Sequence, residues 1–187
     1  MNLLLAFVII LIARITGISF FREKGQKFFF FGIILLLTAV TTPPAFKALT
    51  GENLELLLGG NGVTGLIPLR IDALSGWFIL IINFIFVTGG FYGLFYLDLY
   101  SAPKNNLRLH YASFILLHAS LLGLCVIQNA LLFLVTWELM TLAAFVAVIF
   151  EHEKWATVKA GINFFIQSHI SLLMTGFFNV VILAGKF

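Results

Sequence analysis

The sequence predicts an all-α membrane protein, a polytopic bundle of about six transmembrane helices with both termini outside. Three observations carry that prediction. The 187 residues are 61% hydrophobic and only 10% charged, where a soluble domain carries about 25% charged residues. Mean hydropathy is +1.08 and 22 residues are Phe, a side chain that lipid accepts and water does not. Apolar runs of ~20 residues, the length that crosses a ~30 Å hydrocarbon core, recur along the chain. So few charges cannot clothe a solvated surface.

The first span is expected at 2–21. Its apolar start lacks a basic flank, and Arg14, Arg22, Lys24 and Lys27 follow it, the reverse of a cleavable leader. It reads as a retained helix. The second span, 27–43, opens on the Phe28–Phe31 run and is expected to stop at Pro43-Pro44, because proline lacks the helical N–H and clashes with the preceding turn. An external loop, 45–73, comes next; Gly59-Gly60-Asn61-Gly62 suggests a turn with a short extended stretch after it. Further spans are expected at 74–97, 107–127, 130–150 and 155–183, with Pro103 marking the loop after the third. No long repeat and no soluble segment divides the chain, so 1–187 reads as a single transmembrane domain.

Orientation follows the basic residues. The first, third and fifth loops hold Arg22, Lys24, Lys27, Lys104, Arg108, Lys154 and Lys159, whereas the second and fourth hold Lys47 and Arg70. Positive loops stay in the cytoplasm. A net charge of +3, confined to loops, excludes nucleic acid as a partner. Cys125 is the single cysteine, so one copy can form neither an internal disulfide nor a cysteine-rich cluster. With no glycine-rich nucleotide loop and no paired histidines, no cofactor is expected either.

Charge at membrane depth is the informative exception. Glu138 lies well inside the fifth span, and the connections on either side set its depth. His118 precedes the turn near Gln128-Asn129 by about ten residues and Glu138 follows it by about nine, placing both ~15 Å deep. His169 stands about as far beyond the next turn as Glu138 stands before it. Three titratable groups on three consecutive helices thus share one layer, and carboxylate and imidazole both exchange protons near neutral pH once burial moves them there. A buried histidine can equally serve as a hydrogen-bonding link between helices. A glutamate at that depth is a poor packing residue and reads as functional.

The sixth span adds Lys159, Asn163, Gln167, Ser171, Thr175 and Asn179 at steps of four. Each step drifts ~40° round the helix, so the row winds slowly across its surface. Such a row either wets a channel or bonds neighbouring helices. Lys159, near the cytoplasmic edge, is the member expected closest to a proton relay with Glu138, His169 and His118.

Leu131-Leu132-Phe133-Leu134-Val135-Thr136-Trp137-Glu138-Leu139-Met140-Thr141-Leu142 resembles the antiporter-like membrane subunits shared by respiratory complex I, Mrp cation/proton antiporters and energy-converting hydrogenases. Arg70-Ile71-Asp72-Ala73-Leu74-Ser75 and His110-Tyr111-Ala112-Ser113 support it, and Gln167-Ser168-His169-Ile170-Ser171 is similar to the hydrogenase and formate hydrogenlyase branch. The resemblance runs from about Leu69 onward. It implies that Glu138 matches the fifth-helix glutamate used in proton translocation, whose usual partner is a lysine on a broken seventh helix. Members are more than twice this long, so that lysine and the second inverted repeat are expected from another polypeptide, or the chain is a shortened copy.

The function so implied is the N-terminal part of a proton-translocating subunit in a membrane-bound oxidoreductase, of hydrogenase or NADH-quinone type, or in an Mrp antiporter complex. Expected partners are other membrane subunits and the lipid bilayer, in a bacterial or archaeal inner membrane. The rival is a structural or assembly subunit that transports nothing.

Overall fold

The computed structural model describes residues 23–60, 65–97, 104–151 and 153–184. Five long helices and one hairpin make up these residues: α1 (Glu23–Leu49), β1 (Leu54–Leu58), β2 (Ile67–Ile71), α2 (Ala73–Tyr96), α3 (Lys104–Leu124), α4 (Ala130–Val148) and α5 (Trp155–Ala184), with a 3-10 turn at Ile149–Glu151 before α5. Four stretches, Gly25–Leu49, Ala73–Tyr96, Leu107–Leu124 and Ala130–Val148, are long and apolar enough to cross a membrane. The span expected at 2–21 lies outside the described residues, and the one expected at 155–183 forms helix α5 without being among these four, so four of about six expected spans are long and apolar enough.

α1 continues through Pro43-Pro44 instead of stopping there. Thr41 Oγ1 donates to the Leu37 carbonyl at 2.8 Å. Asn83 of α2 donates its amide to the Thr41 hydroxyl at 2.9 Å and to that of Thr42 at 3.2 Å. These bonds tie the turn before the prolines to its own helix and to α2, although none of them reaches the Ala39 and Val40 carbonyls that Pro43 and Pro44 leave without a helical donor. The true stop is Gly51, whose φ of 98° opens a left-handed cap. Its N–H meets the Ala48 carbonyl at 3.1 Å and the Glu52 N–H meets Lys47 at 3.1 Å, the paired bonds of a Schellman motif. The helix therefore ends at Leu49, well past the expected 43.

The loop after α1 folds back on itself. β1 and β2 pair antiparallel from Leu54↔Ile71 to Leu58↔Ile67. The free edge of β2 then docks on the α3–α4 connection: Arg70 N–H donates to Val126 at 2.9 Å, Gln128 N–H to Pro68 at 3.1 Å, and the Asn129 amide to Leu66 at 3.2 Å. This covers an edge that would otherwise offer unpaired backbone groups. It also fixes two helix starts at one end of the bundle. Asp72 caps α2 through the Ser75 N–H at 2.9 Å, and Asn129 caps α4 through the Leu132 N–H at 3.1 Å.

The core lies where α1, α2 and α3 meet. Phe30, Ile33, Ile34, Phe86, Leu94, Tyr111 and Ile115 form its main cluster, and Ala45, Ile79 and Leu122 a second one nearer the hairpin. Gly76 brings α2 onto α1: a Cβ there would stand 2.6 Å from the Ala45 carbonyl oxygen. The opposite face of α2 exposes Trp77, Phe84, Phe91, Tyr92 and Phe95, the large apolar side chains expected against lipid. α4 packs on α3, and α5 packs on α4. Gly161 makes the latter close, with Ile149 2.5 Å and Phe145 3.5 Å from where its Cβ would be.

Candidate functional site

An unpaired polar group in an apolar bundle costs several kcal/mol, so polar side chains that do find partners there mark deliberate joints. Two polar clusters stand out. In the first, His118 of α3 is fully buried and its Nε2 lies 3.0 Å from Asn83 Oδ1. The Asn83 amide nitrogen is already donating to Thr41 and Thr42, so its oxygen accepts and His118 Nε2 carries the hydrogen. One helical turn on, Phe86 stacks on the imidazole, centroids 4.4 Å apart and planes 7° from parallel. His118 therefore joins three helices, α1, α2 and α3.

The second cluster joins α4 and α5. Asn129 starts α4, which places Glu138 ~13 Å along it. The 14 residues from Trp155 bring His169 to a matching level on α5, ~21 Å along. His169 Nε2 and Glu138 Oε1 are 2.7 Å apart. The other ring nitrogen, Nδ1, lies 2.9 Å from the Phe165 main-chain carbonyl one turn earlier, and the Phe165 ring is tilted against the imidazole at 4.1 Å. Phe165 in turn packs on Phe145 of α4 at 5.1 Å, holding the two helices in register beside the pair. Thr141 Oγ1 donates to the Glu138 main-chain carbonyl at 2.9 Å. Glu138 Oε2 is buried and has no hydrogen-bond partner among the described residues; the same holds for Trp137 Nε1. Both side chains of the pair remain about one-third exposed, 34% for His169 and 32% for Glu138, which puts the pair at the rim of the described bundle.

Of the four residues expected in one relay, the structure brings Glu138 and His169 into contact. It places His118 in the Asn83 cluster. Lys159 is exposed, ten residues and ~15 Å before His169 on α5. Exposed with it are Asn163, Gln167 and Ser171, so the polar row of α5 lies on its outer surface, with Ser171 and Thr175 bonded back to carbonyls of their own helix. Sequence reasoning missed Asn83, Thr41 and Thr42. An asparagine amid Ile81-Ile82-Asn83-Phe84-Ile85 was the signal that could have found them.

A bundle of apolar helices long enough to cross a membrane, with a hydrogen-bonded carboxylate–imidazole pair at its rim, is that of a polytopic integral membrane protein. No family model matches the chain. It is 27% identical over 99% of its length to a Staphylococcus saprophyticus protein named, by assignment, antiporter subunit mnhA2, of which the match covers 23%. The protein of the same name in Staphylococcus aureus strain MRSA252 is 29% identical over 64% of the chain and 16% of its own length. Hydrogenase-4 component B of Escherichia coli K12 is 31% identical over 59% of the chain and 16% of its own length. Homologues of this chain thus come from Mnh/Mrp antiporters and from hydrogenase-4, in accord with the resemblance carried by the Trp-Glu-Leu-Met run. The chain spans less than a quarter of these relatives.

Proposed function

We propose that the chain is part of an antiporter-like, proton-translocating subunit of a membrane-bound oxidoreductase of hydrogenase or NADH-quinone type, or of an Mrp cation/proton antiporter complex. Glu138 carries the proton and His169 is its partner. The 2.7 Å contact between them, made by two titratable side chains midway along apolar helices, is the observation that carries this reading. His118 and Asn83, in this account, clamp α1 to α3 and take no proton.

The membrane is the inner membrane of a bacterium or archaeon, and the hairpin end of the bundle faces outside with both termini. The scarcity of Lys and Arg in the connections at that end supports this orientation. The test of function is Glu138→Gln in the assembled complex. Proton movement coupled to its driving reaction is expected to fall to background with subunit content unchanged, and normal movement would refute the proposal.

A second reading, a subunit that assembles the complex and transports nothing, is favoured by one observation. α5 turns Lys159, Asn163 and Gln167 outward, and such groups do not face lipid without cost. We assign that face to other membrane helices of the same complex, whichever polypeptide bears them. The Glu138 result separates the two readings, since a scaffold has no use for a titratable group at that depth.

A further inference from the structure

Each ring nitrogen of His169 faces a single oxygen, and the two oxygens differ in kind. The Phe165 carbonyl, 2.9 Å from Nδ1, can only accept a hydrogen bond. Nδ1 must therefore be the donor and keep its hydrogen. Turning the ring over would set carbon atoms against both oxygens, so the two hydrogen bonds together choose the orientation seen.

At 2.7 Å, Nε2 and Glu138 Oε1 need one hydrogen between them. Two arrangements supply it: imidazolium with carboxylate, or Nδ1–H imidazole with a carboxylic acid. They differ only in which atom holds the same proton, and their net charge is identical. Without that proton, the Nε2 lone pair and a carboxylate oxygen face each other and the bond between α4 and α5 is lost. A second proton has one place to go, Glu138 Oε2, which is buried and lacks a hydrogen-bond partner among the described residues.

We infer that His169 is a proton store with one open end. Phe165 locks its Nδ1, a single proton is held between Nε2 and Oε1, and every proton reaching or leaving the pair passes through Glu138, at Oε2. A conducting imidazole takes a proton on one nitrogen and releases it from the other. Here the second nitrogen leads into the backbone of its own helix, which ends the path. Two consequences follow: no third group draws protons from His169 through Nδ1, and emptying the store releases the side-chain tie between α4 and α5. Other titratable groups on the helices packed around the pair are Arg108, His110, Tyr111 and His118 of α3, and Lys159 of α5. Of these, His118 is engaged by Asn83, and Lys159 lies on the exposed surface ten residues away.

This inference rests on Glu138 as the proton carrier, yet its test does not depend on transport. The full chain, with 15N-labelled histidine and reconstituted in lipid vesicles, is followed by solid-state NMR across about pH 5 to 9, the range of histidine titration. Signals lost in H169Q assign the residue. The expected result is that Nδ1 of His169 is protonated at every pH and Nε2 alone changes. In E138Q, Nδ1 should stay protonated while the Nε2 titration departs from that of the unsubstituted chain, because a side-chain amide can donate to bare Nε2 or, turned over, accept from Nε2–H, but shares no acid proton with it. An Nε2–H tautomer with bare Nδ1, at any pH and in either protein, would overturn the inference. Because the main readout uses the unsubstituted chain with the H169Q assignment, a failure of E138Q to fold leaves the test intact. If E138Q keeps full proton movement in its complex, the functional reading fails by itself, and the NMR result still decides the lock.

Discussion

At Asn83 four side chains converge: two threonine hydroxyls of α1 and the imidazole of α3 all bond to one amide. Removing it leaves the buried His118 Nε2–H unmatched, a loss of about 1–3 kcal/mol. Asn83→Leu should lower the melting temperature of the detergent-solubilised protein accordingly. Asn83→Leu combined with His118→Leu should recover part of that loss, because an apolar pair leaves nothing unsatisfied; additive losses would argue that the two residues do not act together. Asp72 offers a pH signature outside the membrane. Its hydrogen bonds from Ser75 hold the carboxyl below the usual carboxylate range, with Arg70 adding to the effect. The stabilisation is therefore complete above the ordinary value and is lost as pH falls through the lowered one. Asp72→Asn caps a helix equally well without titrating, so melting curves of the variant should lose that acid-side dependence. That Glu138 and His169 stand at one level was legible in the sequence, since residue counts from the turns fix height along a helix. The faces of those helices were not: rotation about the axis is set by packing, and it separated His118 from the pair despite its similar depth.

At the scale of elements, the joints are made by small residues. Gly76→Ala places a methyl 2.6 Å from the fixed Ala45 carbonyl, and backbone cannot yield as a flexible side chain does. The expected cost is about 1–3 kcal/mol, read as a lower melting temperature, whereas Gly32→Ala, with open space around it, should be near neutral. α1 shows how local signals compete. Pro43-Pro44 reads as a terminator in isolation, but Thr41, Thr42 and Asn83 supply hydrogen bonds along that turn, and Gly51 closes the helix later. The stop glycine was visible in the sequence; the packing partner of the turn before the prolines is a residue 42 positions away. β1 was missed for a related reason. Leu54-Glu55-Leu56-Leu57-Leu58 has no strong strand pattern, and it is paired because β2 is anchored to the α3–α4 connection.

For the whole molecule, composition alone set the class, because a chain this apolar has no soluble alternative. Its arrangement is asymmetric. α1, α2 and α3 form a packed core, whereas α5 rests on α4 and exposes both apolar side chains and the Lys159, Asn163 and Gln167 row. If that row meets other helices of a complex, Asn163→Leu with Gln167→Leu should reduce co-purification of the other membrane subunits while the chain itself still accumulates in the membrane. Unchanged recovery of partners would place the contact elsewhere. Whether Glu138 carries the proton is decided by proton movement in vesicles bearing the assembled complex with Glu138→Gln. Background-level movement at normal subunit content is expected, because the amide keeps a hydrogen bond to His169 but has no acid proton to give. Movement at the unsubstituted rate would contradict that role and leave the pair a strut between α4 and α5.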